Sequence, residues 1–203
     1  MLRVRRRHPL RCRIGNKLPG AYGRFGYDDG ANCYPRRHKH MATALLKDVT
    51  GSRGEKIVDL CLTDYSSFAA PLFEAAHLGA KWPALDFYVE LRTVAGAGKF
   101  FFGQAKSTAA PLSNRARVLR ISTDRDDIDR LRRIPAPTYL LGVHEPTKRV
   151  FVRAVHSATP SRAITSIPLS HELTSANLQV LHDEILLHWT AATPFKPTSS
   201  AFS

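Results

Sequence analysis

The chain has 203 residues, of which 43% are hydrophobic, and its formal net charge is +13. This length suits one domain with a well-buried core, and no apolar run approaches the roughly 20 residues that a membrane-spanning helix needs. The arginine-rich start is not followed by an apolar segment like that of a secretory signal, so we expect a cytoplasmic protein with no membrane partner.

The positive charge is concentrated near the N-terminus. Residues 1–40 hold nine Arg and two Lys against two Asp, a net +9 that leaves +4 for the rest of the chain. No helix or strand periodicity is visible there, so residues 1–44 are predicted to form a basic, disordered arm. This arm is either a phosphate-binding tail or sequence upstream of a true start at Met41. Residues 193–203, rich in Pro, Ser and Thr, are predicted to be a disordered tail, which leaves residues 45–192 as one α/β domain.

Two helices are predicted ahead of the first strand. The spacing of Ser52 and Glu55 is that of a capping box before an apolar-periodic run, which predicts a helix over residues 52–62. A proline in a first-turn position and Gly79 as a C-cap predict a second helix over residues 71–78.

A β-hairpin is predicted next. Residues 86–91 alternate between polar and apolar side chains, residues 95–98 form a glycine-rich turn, and residues 99–106 continue with a second β-rich run. The hairpin carries the polar residues that are of most chemical interest in the chain.

The remaining pattern completes a mixed sheet with helices. A short strand over residues 118–121 precedes a charged helix over residues 124–133. The nearly continuous apolar run at 138–143 predicts an interior strand, and residues 149–155 are predicted to be its antiparallel partner. Apolar residues spaced three and four apart predict an amphipathic helix over residues 175–190. The predicted fold is an α/β domain with a mixed central β-sheet flanked by helices.

The hairpin brings together residue types that suit phosphodiester hydrolysis. A turn centred near Gly96 places Asp86 opposite Lys106 and Tyr88 opposite Gln104, with paired Cβ atoms about 5 Å apart. Mg²⁺ prefers oxygen ligands, which the Asp86 carboxylate and the Gln104 side-chain oxygen would supply. Lys106 would orient a water or stabilise charge on the phosphate. The alternative interpretation is an exposed ion pair between Asp86 and Lys106.

An acid on a helix, an aspartate on a strand and Gln-x-Lys on the following strand resemble the pattern of the PD-(D/E)XK nuclease superfamily. More narrowly, Arg53-Gly54-Glu55, Asp86 to Glu90, Gln104-Ala105-Lys106-Ser107-Thr108 and Pro137 to Val143 look like an uncharacterised bacterial family, the domain of unknown function numbered four-three-six-five. The resemblance spans about residues 50–190. It implies a restriction-endonuclease-like core with Asp86, Gln104, Lys106 and Glu55 as catalytic residues. Asp86, Gln104 and Glu55 would hold Mg²⁺ or Mn²⁺.

The function implied by this resemblance is metal-dependent hydrolysis of nucleic acid, with DNA favoured over RNA as the partner. A homodimer or a partner protein is also allowed. The alternative is an inactive nuclease-fold module that binds nucleic acid or a protein. Seven arginines would then supply backbone contacts: Arg115, Arg117, Arg120, Arg125, Arg130, Arg132 and Arg133. For Glu55, the capping box remains a second interpretation.

Overall fold

A computed structural model describes residues 37–79, 81–113, 115–191 and 199–203. The predicted arm therefore lies outside the described residues as far as residue 36. No helix within the described part of the chain is long and apolar enough to cross a membrane.

The described chain forms a mixed five-stranded sheet, a small two-stranded sheet and three α-helices. The helices are α1 (Arg37–Leu62), α2 (Arg125–Arg133) and α3 (Ser175–Thr190). The strands are β1 (Phe73–His77), β2 (Phe87–Leu91), β3 (Phe100–Thr108), β4 (Val118–Arg120), β5 (Thr138–His144), β6 (Arg149–Ala154) and β7 (Ser166–Pro168). The large sheet has the order β1-β2-β3-β5-β6, and β4 pairs with β7. Because β3 and β5 are parallel and the other neighbours are antiparallel, the predicted mixed sheet is confirmed.

The two faces of the large sheet are covered by different elements. On one, here called the α1 face, Val58 of α1 and Ile185 of α3 share a core cluster with Phe101 of β3. On the other, the α2 face, Ile128 of α2 packs in a second cluster with Leu140 of β5, together with residues of β4 and β7. Since side chains alternate along a strand, β3, β5 and β6 contribute to both cores, whereas the core residues of β1 and β2 belong to the α1 face.

A glycine brings α1 close to the sheet. An added Cβ at Gly54 would lie 1.6 Å from Ser107 Oγ and 2.8 Å from Ser107 Cβ. The hydroxyl of Ser107 therefore occupies the space that any larger residue at position 54 would need. This contact joins two of the segments that carry the family resemblance.

The first predicted helices differ from the structure. Residues 73–77, predicted as part of a helix, form the edge strand β1, because pairing with β2 outweighs the helix propensity of Glu74, Ala75 and Ala76. The helix predicted at residues 52–62 begins at Arg37, so Ser52 and Glu55 lie inside α1. The capping-box interpretation of Glu55 is therefore wrong, and the predicted disordered arm is helical from Arg37 onward.

The hairpin register is shifted from the predicted one. Tyr88 pairs with Phe102 and Phe87 with Gly103, whereas a turn centred at Gly96 predicted that Tyr88 would face Gln104. The connection between the two strands contains a 3₁₀ turn at Val94–Gly96 and a left-handed Gly98, with φ of 73°. The chain therefore reverses direction about one residue earlier than a turn centred at Gly96. The shift is by two positions, so each side chain keeps its predicted face of the sheet.

Residues 199–203 differ from the disordered tail that composition predicted. Phe202 is 2% exposed and packs in the core cluster of the α1 face. Its carbonyl oxygen accepts a hydrogen bond of 2.9 Å from Ala154 N at the edge strand β6. The strands at 138–144 and 149–154 and the helices at 125–133 and 175–190 are confirmed, with ends that shift by no more than one residue.

Candidate active site

The Asp86 carboxylate is fixed by the backbone of β3. Asp86 precedes β2 directly, and its N–H donates to Gly103 O at 2.9 Å. Its Oδ2 accepts a 2.7 Å hydrogen bond from Ala105 N–H. Burial raises the pKa of Asp86, while the Ala105 N–H and then the charge of Lys106 lower it. Ala105 thus holds the Asp86 carboxylate against β3, between Gln104 and Lys106 in the sequence.

The side-chain oxygen of Gln104 has no hydrogen-bond partner among the described residues. Its side chain lies on the α2 face and is 4% exposed. Nε2 donates to Asp127 Oδ2 at 3.2 Å, whereas Oε1 is buried and makes no hydrogen bond to any described residue. A buried acceptor without a hydrogen bond destabilises the folded state, and a bound ligand or water can remove this cost.

Lys106 lies two residues further along β3, on the same face. Its Nζ is 3.2 Å from Asp127 Oδ2, with the Lys106 side chain 26% exposed and that of Asp127 18% exposed. Lys106 is also close enough to Asp86 for its charge to lower the pKa of that carboxyl. The predicted pairing of Asp86 with Lys106 across the hairpin is wrong, because the register is shifted by two positions, but the charge of Lys106 still acts on the Asp86 carboxyl.

Asp127 is a site residue that the sequence reasoning missed. The sequence predicted only that it lies in a charged helix over residues 124–133. Its position contains a usable signal, because Asp127 lies four residues before buried Leu131 and one before buried Ile128. That spacing places it at the margin of the buried stripe of α2, where a side chain reaches the sheet.

Glu55 is not joined directly to the other three predicted residues. It lies on α1, and its Oε2 is 2.9 Å from His77 Nε2. The ring of His77 lies edge-to-face against Phe87, with centroids 5.6 Å apart, on the α1 face. The charge of His77 is one of the causes that lower the pKa of Asp86, but Gln104 and Lys106 lie on the opposite, α2 face, so the structure does not bring Glu55 together with them. Glu55 and His77 line a groove of about 420 Å³ between α1 and β1.

The donor set suits a hard divalent cation with few protein ligands. Within the described ranges, no three His, Cys, Asp or Glu side chains are grouped as a metal site. The Asp86 carboxylate and the unpartnered Gln104 Oε1 are the kind of oxygen ligands that Mg²⁺ accepts, with water completing its shell. The residues present therefore fit such an ion.

The chain was also compared with known proteins. It matches no family model, no curated protein and no solved structure. The resemblance to the PD-(D/E)XK superfamily remains a prediction.

Proposed function

We propose that the chain is a metal-dependent nuclease that hydrolyses phosphodiester bonds of nucleic acid on a restriction-endonuclease-like core. The observation that carries the proposal is the arrangement around Ala105. Its N–H holds the Asp86 carboxylate, while its neighbours in β3 are Gln104, with a free buried oxygen, and Lys106, with a half-buried ammonium.

Each residue has a role that follows from its contacts. Asp86 and Gln104 Oε1 would hold the cation, whereas Glu55 is paired with His77 on the α1 face. Bound Mg²⁺ or Mn²⁺ supplies a Lewis acid for a phosphoryl oxygen and lowers the pKa of a coordinated water. Lys106, partly exposed beside Asp86, would donate to a phosphate oxygen and stabilise the charge that develops there.

The proposed substrate is a polyanion. A formal charge of +13 favours nucleic acid through counterion release. We favour DNA over RNA on the resemblance alone. We also expect a cytoplasmic protein, for which a homodimer or a partner protein is allowed.

The test is cleavage of double-stranded DNA, single-stranded DNA and RNA by the full chain, with Mg²⁺ or with a chelator. We expect Asp86→Asn and Lys106→Ala each to lower the cleavage rate by about 100-fold or more. The matched controls are Glu90→Gln and Lys99→Ala. Each removes a charge of the same sign as the corresponding site variant, from a position in the same hairpin that lies away from the site. Their rates should stay within about twofold of the unchanged chain.

The second candidate is a binding module without catalysis. It is favoured by the contact between Lys106 Nζ and Asp127 Oδ2, because an ion pair that only stabilises the fold would have the same geometry. The module predicts no metal-dependent cleavage, together with salt-sensitive nucleic-acid binding that neither Asp86→Asn nor Lys106→Ala changes. That combination would refute the nuclease proposal.

A further inference from the structure

The orientation of the Gln104 amide is set from outside its own strand. The two ends of an amide are similar in shape but opposite in hydrogen bonding, since NH₂ donates and the oxygen accepts. An ionised carboxylate only accepts. Because Asp127 Oδ2 lies 3.2 Å from the amide nitrogen, the NH₂ end is directed toward α2. The Gln104 oxygen is thereby left buried, with no hydrogen-bond partner in the described part of the chain.

The same carboxylate oxygen also holds the lysine. Lys106 Nζ is 3.2 Å from Asp127 Oδ2, so Asp127 contacts both polar side chains that β3 contributes. The charge of Asp127 also reaches Asp86, where it raises the pKa. The site thus has two carboxylates, Asp86 and Asp127, and Asp127 contacts the neutral side-chain amide of Gln104.

The contacts of Asp127 differ from those of an ordinary surface residue on a helix. Arg130 is its partner one turn along α2, at 3.8 Å with the arginine side chain 55% exposed. The two contacts to β3 are shorter and involve less exposed side chains. Asp127 is therefore engaged mainly with the sheet and not with the charged surface of its own helix.

We propose that Asp127 is a positioning residue of this site, which turns Gln104 Oε1 toward a divalent cation and holds Lys106 beside it. The inference rests on the proposed function, because it requires a cation next to Gln104. It goes beyond that function by assigning a role to a residue on α2. Gln104 and Asp127 would act as a pair, in which Gln104 supplies the oxygen ligand and Asp127 supplies the negative charge.

The first experiment measures Mn²⁺ binding to the full chain by calorimetry, without substrate. Asp127→Asn replaces the carboxylate by an amide that no longer selects one orientation of Gln104. We expect it to weaken Mn²⁺ binding by about 10-fold or more, as changes to partners of metal ligands generally do. The matched control is Asp126→Asn, which removes the same charge from the same turn of α2 at an exposed position. It should change binding by less than about twofold.

The second experiment exchanges the two chemical groups. Gln104→Glu alone places a carboxylate against Asp127, so it should lower the melting temperature without metal and change the affinity for Mn²⁺. In the double variant Gln104→Glu with Asp127→Asn, the new amide donates to the new carboxylate, so the charge moves to β3. We expect both the melting temperature and Mn²⁺ binding to return toward the values of the unchanged chain.

Each outcome supports or refutes the assignment. Asp127→Asn that lowers the melting temperature but leaves Mn²⁺ binding unchanged would show a purely structural contact. A double variant that folds but does not recover Mn²⁺ binding would refute the paired role. If the unchanged chain binds no Mn²⁺, the metal of the proposed function is wrong and the inference fails with it. If the chain binds Mn²⁺ but does not cleave, the catalytic proposal fails while the positioning role is still decided by the variants.

Discussion

Replacing Gly54 by alanine tests how closely α1 approaches the sheet. The added Cβ would lie 1.6 Å from Ser107 Oγ and 2.8 Å from Ser107 Cβ. Both distances are far below van der Waals contact, so α1 must shift or Ser107 must move. Gly51, on the same helix, has no described atom within 4 Å of its Cβ position. The two glycines therefore form a matched pair that differs in packing.

The magnitude follows from two opposing terms. Alanine is favoured over glycine within a helix by about 1 kcal/mol, and this term applies to Gly51→Ala and Gly54→Ala alike. Overpacking costs about 1–3 kcal/mol, and we expect it at Gly54 only. Gly51→Ala should raise the free energy of unfolding by up to about 1 kcal/mol. The free energy of unfolding of the Gly54→Ala variant should be lower than that of the Gly51→Ala variant by about 1–3 kcal/mol.

The assay is urea unfolding followed by circular dichroism, with the slope of the transition as a check that the denatured states are alike. Adding Ser107→Ala to Gly54→Ala removes the closest clash but leaves the Cβ contact of 2.8 Å, so it should restore part of the loss. Equal stabilisation by the two glycine variants would refute the close approach of α1 to β3.

Two other predictions concern the core of the α1 face. Phe202→Ala should lower the free energy of unfolding by about 3–5 kcal/mol, with Ser203→Ala within about 0.5 kcal/mol as control; an unchanged melting temperature for Phe202→Ala would contradict the docked tail. Burial raises the pKa of Cys61 from 9.0 to about 12, so in a background with Cys12→Ser and Cys33→Ser, iodoacetamide at pH 8 should label it only after unfolding. Because the thiol ionises at lower pH in the unfolded chain, stability should fall as the pH rises from 9 toward 12; a slope that Cys61→Ala leaves unchanged would refute this.

Elements with strong local patterns could be predicted from the sequence. The apolar spacing from Leu178 to Trp189 determined α3 over Ser175–Thr190, because one face of the helix must be buried. The run at β5 is buried at all seven positions, which agrees with its interior place in the sheet. The polar pattern of the hairpin likewise predicted which face carries Gln104 and Lys106.

Features that depend on distant partners could not be predicted in this way. Glu74, Ala75 and Ala76 favour a helix locally, and only pairing with β2 makes them a strand. The hairpin register depends on a 3₁₀ turn that a glycine-rich sequence does not specify. Asp127 joins the site through a contact across 23 residues to Gln104, and no periodicity within α2 alone identifies its partner.

The parallel pairing of β3 with β5 also divides the site into a local part and a part that needs a long-range contact. The β2–β3 hairpin is local, so Asp86 and Ala105 can meet early. Asp127 belongs to the crossover between Thr108 and Thr138 and reaches β3 when that long connection closes. The Asp86 anchor therefore depends only on the hairpin, whereas the orientation of Gln104 depends on the docking of α2 against the sheet.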